Sequence, residues 1–375
     1  MPRLRVRLRR QHRARGAGGE QEEPMTSWGQ TERRRGGRMG TGLLLAAVAA
    51  GGLLTPAVAG AGELTLYSAR KEELIRPAIE AFEKETGTRV TILTGRAGEL
   101  ARRIELERGS PNGDVFLGTA AGITELLREK GLLEPYASPY ARELPEEFRA
   151  ANHAWVGITG RVRVLIYNTD RLTAAEAPQS YFDLTAPRWK GQVAVASLGE
   201  RTTVSWLAAL LALKGEAATR QYVDGLRANG LKVLKNNTEV RHAVARGEVA
   251  VGITNHYYYM LQLQEDPRSP IAILYPDQGP TGMGTPVFSI TAGIIKGARH
   301  LAEARALIDF LLKPAGNRLL VEGEFEIPLL PQVALVGADR GIRGLGQFKK
   351  AAVTQVELAE LEPKVERLFG SVFLP

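Results

Sequence analysis

From position 63 onward, short apolar runs with strand character alternate with stretches of helical period, and this rhythm narrows the possible folds more than any other feature of the chain. Leu64-Thr65-Leu66-Tyr67 reads as a buried strand. It leads into residues 72–85, where Leu74, Ala78 and Phe82 recur every fourth position and Gly87 supplies a stop. Residues 89–93 predict a second strand, 100–108 a helix, 114–117 a third strand, and 122–129 a helix ended by Gly131. Such β-α-β alternation specifies a mostly parallel sheet covered by helices.

The rhythm breaks over residues 134–151, which are rich in Pro, Tyr and Glu, and then restarts. Strands are expected at 161–167, 191–196, 231–234 and 248–254, with helices at 204–214 and 240–246. A long strand at 286–295 returns toward the first half, followed by helices at 300–312 and 316–321. A chain of 375 residues exceeds what one ordinary core holds, so two lobes are expected. The division reads as a basic leader plus signal peptide at 1–59, lobe 1 at 60–159, lobe 2 at 160–284, and a return to lobe 1 with C-terminal helices at 285–375. Two α/β lobes joined by crossing strands make a hinged cleft, which suits ligand capture.

Charge is concentrated at the start. Residues 1–38 hold 11 Arg and 4 Glu, so nearly all of the net +8 sits there and the remainder is close to neutral. A nucleic-acid partner is therefore not expected. Arg33, Arg34, Arg35 and Arg38 precede the apolar run 43–54 and the small-residue exit Thr55-Pro56-Ala57-Val58-Ala59, the three parts of a secretory signal. Cleavage is expected after Ala59, with Ala61 as the second choice, which implies an exported, periplasmic protein. The absence of Cys rules out disulfides, thiolate metal sites and cysteine nucleophiles. No G-x-S-x-G, Walker loop or zinc-protease spacing is present, so an enzyme is not the expected reading.

The run Tyr257-Tyr258-Tyr259 stands where a strand ends and a helix should begin, the position at which open α/β sheets bind ligands. On a helix, successive side chains diverge by about 100°, so two phenols can face a cleft while the third packs inward. Phenolate oxygen is a hard anionic donor suited to a small trivalent cation, and the other reading is an aromatic wall for an organic ligand or core packing. Two tyrosinates leave one positive charge on Fe³⁺, so a small anion is a reasonable co-ligand. Its candidate holders are Arg201, Thr202, Asn237, Asn255 and a helix start, with Arg70 and Arg161 adding positive potential. His256, beside the tyrosines, reads as a cap or loop residue or an additional ligand.

Residues 235–258, ending in Asn255-His256-Tyr257-Tyr258, resemble the bacterial periplasmic ferric-binding proteins, the iron-delivery components of ABC importers. So do Leu66-Tyr67-Ser68-Ala69-Arg70, Gly113-Asp114-Val115-Phe116, residues 159–168 and Pro187-Arg188-Trp189-Lys190-Gly191. The resemblance implies a type-II-like periplasmic-binding-protein fold, a monomer, and an ABC-type permease in the inner membrane as partner. By position, Tyr257 and Tyr258 fall on the iron-ligating tyrosines. Asn237 and Asn255 fall on residues that help hold the synergistic anion, carbonate or phosphate-like, and residues 200–202 fall on its cradle. The chain departs from other members at three places. Lys71 stands where some have a His, Thr119 where some have a Glu, and no third Tyr lies near Arg201. An anion, Tyr259 or His256 would then complete the sphere. The competing cargo is an organic or phosphorus-containing anion such as a phosphonate, thiamine or a ferric chelate.

Overall fold

The computed structural model describes residues 62–375; the leader and signal-peptide reading falls on residues 1–61 and lies outside the described residues. In the first half, β1 (Glu63–Ser68) pairs in parallel with β2 (Arg89–Thr94), the two connected by α1 (Glu72–Thr86). Gly87 ends α1 with φ 74°, a left-handed conformation that lets its N–H cap the Glu83 carbonyl. Then α2 (Ala97–Leu106) leads to β3 (Val115–Gly118), which lies on the other side of β1, and α3 (Ala121–Glu129) and β4 (Leu133–Glu134) follow.

The strand β5 (Val156–Asn168) is thirteen residues long and buried throughout. After it come β6 (Val193–Ala196), α4 (Arg201–Ala228), β7 (Lys232–Leu234), α5 (Asn237–Ala245), β8 (Val251–Asn255), α6 (His256–Glu265) and β9 (Ile271–Leu274). The chain returns through β10 (Val287–Ile295), α7 (Leu301–Leu312), α8 (Pro314–Glu324) and β11 (Ile327–Pro328), and ends with α9 (Gln355–Phe369).

The strand order β2-β1-β3-β10-β5-β8-β6-β7 makes one curled mixed sheet with two differently partnered halves. Residues 156–162 of β5 pair antiparallel with β10, and from Arg163 onward the same strand pairs with β8 and β9. β10 in turn pairs with β3 and β4. The fold is therefore α/β and two-lobed, with β5 and β10 as the strands that cross between halves.

Helix α4 extends well beyond the apolar run at 204–214, because Gly215 (φ 76°) kinks it and an amphipathic half follows. Trp206 and Leu207 of α4 share a core with Leu358, Val365 and Phe369 of α9 and with Phe373. Burying side chains of that size stabilises by about 1.5–3 kcal/mol each. The last helix thus packs against α4, and it also touches α3. Thr354 starts α9 with a reciprocal capping box to Glu357.

Candidate metal centre between the lobes

A cavity of ≈ 700 Å³ opens at the C-terminal ends of the parallel strands, the position expected for ligands in sheets of this kind. Ala69 follows β1, Arg96 and Glu99 follow β2, Thr119 follows β3, Glu200 to Thr202 follow β6, and Tyr257 and Tyr258 follow β8. Both halves of the sheet therefore contribute to one wall set. The tyrosines are aimed there by local geometry. Asn255 is still extended (φ −94°, ψ 149°), and the helix begins on the next residue. The rings of Tyr257 and Tyr258 lie side by side, centroids 4.3 Å apart and tilted 32°. Tyr259, one further step around the helix, joins the main hydrophobic cluster instead. Burial pushes the Tyr257 phenol well above its ordinary range against the pull of Arg161, and burial followed by the charge of Glu200 raises Tyr258.

Beneath Tyr257 lies a buried cluster of four charges. Arg70 reaches Glu324 at 2.6 Å and Glu326 at 3.2 Å; Arg161 reaches Glu324 at 2.9 Å and Glu326 at 2.7 Å. The Thr159 hydroxyl also donates to Glu326. Burial alone would raise the Glu326 carboxyl, but Arg70 and Arg161 hold it down at about 2. Arg161 sits 5.1 Å from the Tyr257 ring centroid, so a neutralised ion cluster presents one cationic face to that phenol.

His256 ties the tyrosine-bearing helix to this cluster. The Val162 N–H donates to its Nδ1 at 3.0 Å, and its Nε2–H donates to the Phe325 carbonyl at 2.8 Å, between the two glutamates. One neutral tautomer satisfies both bonds, and burial lowers its pKa to about 4. Neither ring nitrogen has a lone pair left for a metal. Replacing His256 by Leu strands a buried N–H and a buried C=O, so we expect roughly 2–4 kcal/mol of lost stability in urea unfolding. Gln or Asn should each recover part of it, and an undiminished Leu variant would show the pin to be idle.

A second network holds the start of α4 from behind. Arg163 donates to the Asn237 and Asn255 side-chain oxygens, each at 3.2 Å, and to Thr203 at 3.2 Å, while Asn255 Nδ2 donates to Thr202 at 3.1 Å. Arg163 is fully buried among neutral acceptors, and desolvation lowers its pKa to about 10. Arg201 turns toward α9, bonding Glu366 at 2.6 Å and also Glu362.

The sequence matches the bacterial extracellular solute-binding protein family over residues 110–341, more than half of the chain. The chain belongs to that family. This binding protein is 30% identical over 339 residues to iron uptake protein A2 of Synechocystis, a match that spans 88% of this chain and 95% of the relative. Iron-bound HitA from Pseudomonas aeruginosa superposes with a TM-score of 0.75 at 26% identity, covering 84% of this chain and 100% of that one. A Trichodesmium protein (IdiA, FutA) in complex with iron and citrate gives a TM-score of 0.75 at 26% identity, covering 83% and 99%.

Of the residues singled out in the sequence, the binding protein brings Tyr257, Tyr258, Arg161, Arg201 and Thr202 to the cavity. Tyr259 goes to the core, and Asn237, Asn255 and Arg70 lie buried outside the lining, where they hold other residues in place. Thr119 lines the cavity, whereas Lys71 is exposed and lies 3.6 Å from Glu73. Glu324, Glu326 and Arg163 were not anticipated. A Glu-Phe-Glu triplet leaving a helix carries no local sign of two buried carboxylates, whereas Arg163 inside an apolar strand was a legible anomaly.

Proposed function

We propose that this binding protein captures ferric iron in the interlobe cavity and delivers it to an ABC-type permease of the inner membrane after export to the periplasm. Tyr257 and Tyr258 supply two phenolates, and a third anionic donor near Thr202 and the start of α4 balances the remaining charge, a small anion such as carbonate wherever the chain itself does not provide it. The observation that carries the reading is the pair of phenols 4.3 Å apart on one helical turn inside that cavity. Its likeness to iron uptake protein A2 and to iron-bound HitA supports iron as the cargo.

Burial keeps both phenols protonated in the empty site at neutral pH, so Fe³⁺ must displace their protons on binding. Hard phenolate donors favour Fe³⁺ over Fe²⁺, so reduction would weaken the hold on the metal. Titrating the apo-protein with ferric nitrilotriacetate and bicarbonate is expected to give a visible phenolate-to-iron charge-transfer band that saturates at one iron per chain. A colourless titration with iron still in solution would overturn the reading.

A further inference from the structure

Resting on the ferric reading, we infer that Glu200 is a third ligand to the iron, a carboxylate built into the cradle where an external anion would otherwise supply the negative charge. Glu200 occupies the cap position of α4, yet its side chain makes no capping hydrogen bond. Ser, Thr, Asp and Asn are the residues that cap well, so capping does not account for a glutamate here. Its backbone is fixed on both sides: its N–H donates to the Ser197 carbonyl at 3.1 Å and its own carbonyl accepts from the Thr203 N–H at 2.8 Å. The side chain lines the same cavity as Tyr257 and Tyr258. It is near enough to Tyr258 for its charge to oppose ionisation of that phenol.

What sets Glu200 apart is that no basic side chain contacts it as an ion pair, although the buried Arg163 feels its charge. Three basic side chains line the cavity, and each is engaged by some other carboxylate. Arg161 is held by Glu324 and Glu326, Arg201 by Glu362 and Glu366, and Arg96 lies 3.8 Å from Glu99. Among the described residues Glu200 has no ion-pair partner, although Arg201 is its chain neighbour. A carboxylate without an ion-pair contact beside two phenols opposes phenolate formation, until a cation enters and reverses that effect. Two phenolates and one carboxylate balance the charge of Fe³⁺. All three donors are hard oxygens of the kind that suit Fe³⁺.

The test compares wild type with Glu200→Gln and Glu200→Asp, loaded from ferric nitrilotriacetate with and without bicarbonate. Wild-type loading should depend little on bicarbonate. Glu200→Gln should lose at least about tenfold in affinity without added anion, regain part of it with bicarbonate, and show its band at longer wavelength, because the iron has lost an anionic donor. Glu200→Asp should fall between the two. Matching thermal unfolding of the three apo-proteins establishes that the variants are folded. Wild-type affinity and band position in Glu200→Gln would overturn the assignment while leaving the ferric reading intact. A wild type that forms no band would remove the ferric reading first.

Discussion

Replacing Tyr257 or Tyr258 by phenylalanine is expected to abolish the charge-transfer band or shift it strongly, and to weaken ferric affinity by well over about a hundredfold. Outer-shell partners of metal ligands already cost about 10–100-fold when removed, and a phenolate contributes both a coordination bond and a negative charge. The two variants should differ in kind. Tyr257 is buried, faces Arg161, and is the phenol whose ionisation the cationic face assists. Tyr258 is less buried and feels the charge of Glu200. The Tyr257→Phe variant therefore keeps only the phenol least helped by a positive neighbour, and we expect it to be the weaker binder. Tyr259→Phe is the control: that ring packs in the main core, so its loss of a hydroxyl should leave the iron titration unchanged. Competition against nitrilotriacetate reads the affinities. A normal band in either cavity variant would remove that tyrosine from the iron.

The fold was legible wherever one periodicity governed an element. The first half, with its β-α-β rhythm, needed only apolar spacing and glycine stops. The second half of α4 was missed because the left-handed Gly215 inside the helix reads as an end. The final helix was missed because Pro363 lies within it and its apolar face acquires meaning only against α4. The tyrosine pair was legible for a local reason: adjacent residues at a strand-to-helix junction diverge by a known angle, so two phenols enter the cleft and the third packs inward. Local reasoning does not extend to what surrounds that pair. Arg70 and Glu326 are separated by 256 positions, and only the tertiary fold brings them together. The same limit explains the asparagines. Asn237 and Asn255, expected from the resemblance to help hold an anion, use their oxygens to accept from Arg163, a contact that sequence order does not reveal.

Glu326→Gln is expected to destabilise the apo-protein by about 3–5 kcal/mol, the scale seen when one partner of a buried ion pair is removed. Glutamine keeps the shape and an acceptor for Thr159, so the loss isolates the charge; Arg70 and Arg161 would then share Glu324 alone. Linkage gives a similar size by a separate route. The folded carboxyl lies at about 2 against an ordinary value of 4.5, which corresponds to about 3 kcal/mol at 1.36 kcal/mol per unit. A depressed acid stabilises the fold while it is ionised, so the contribution is complete above pH 4.5 and disappears as pH falls toward 2. Glu324 runs the other way, because burial raises its carboxyl and it takes up a proton earlier on acidification. The difference between wild type and variant is therefore the quantity to measure, by urea unfolding from about pH 6 down to about pH 2.5. The gap should be widest near neutrality and close below pH 4.5; a gap independent of pH would sink the electrostatic account. Iron binding by the folded fraction should persist, since Arg161 is released from one carboxylate while remaining 5.1 Å from the Tyr257 ring. Stability and capture would then separate, as expected if the four-charge cluster supports the tyrosine helix and the phenols take the metal.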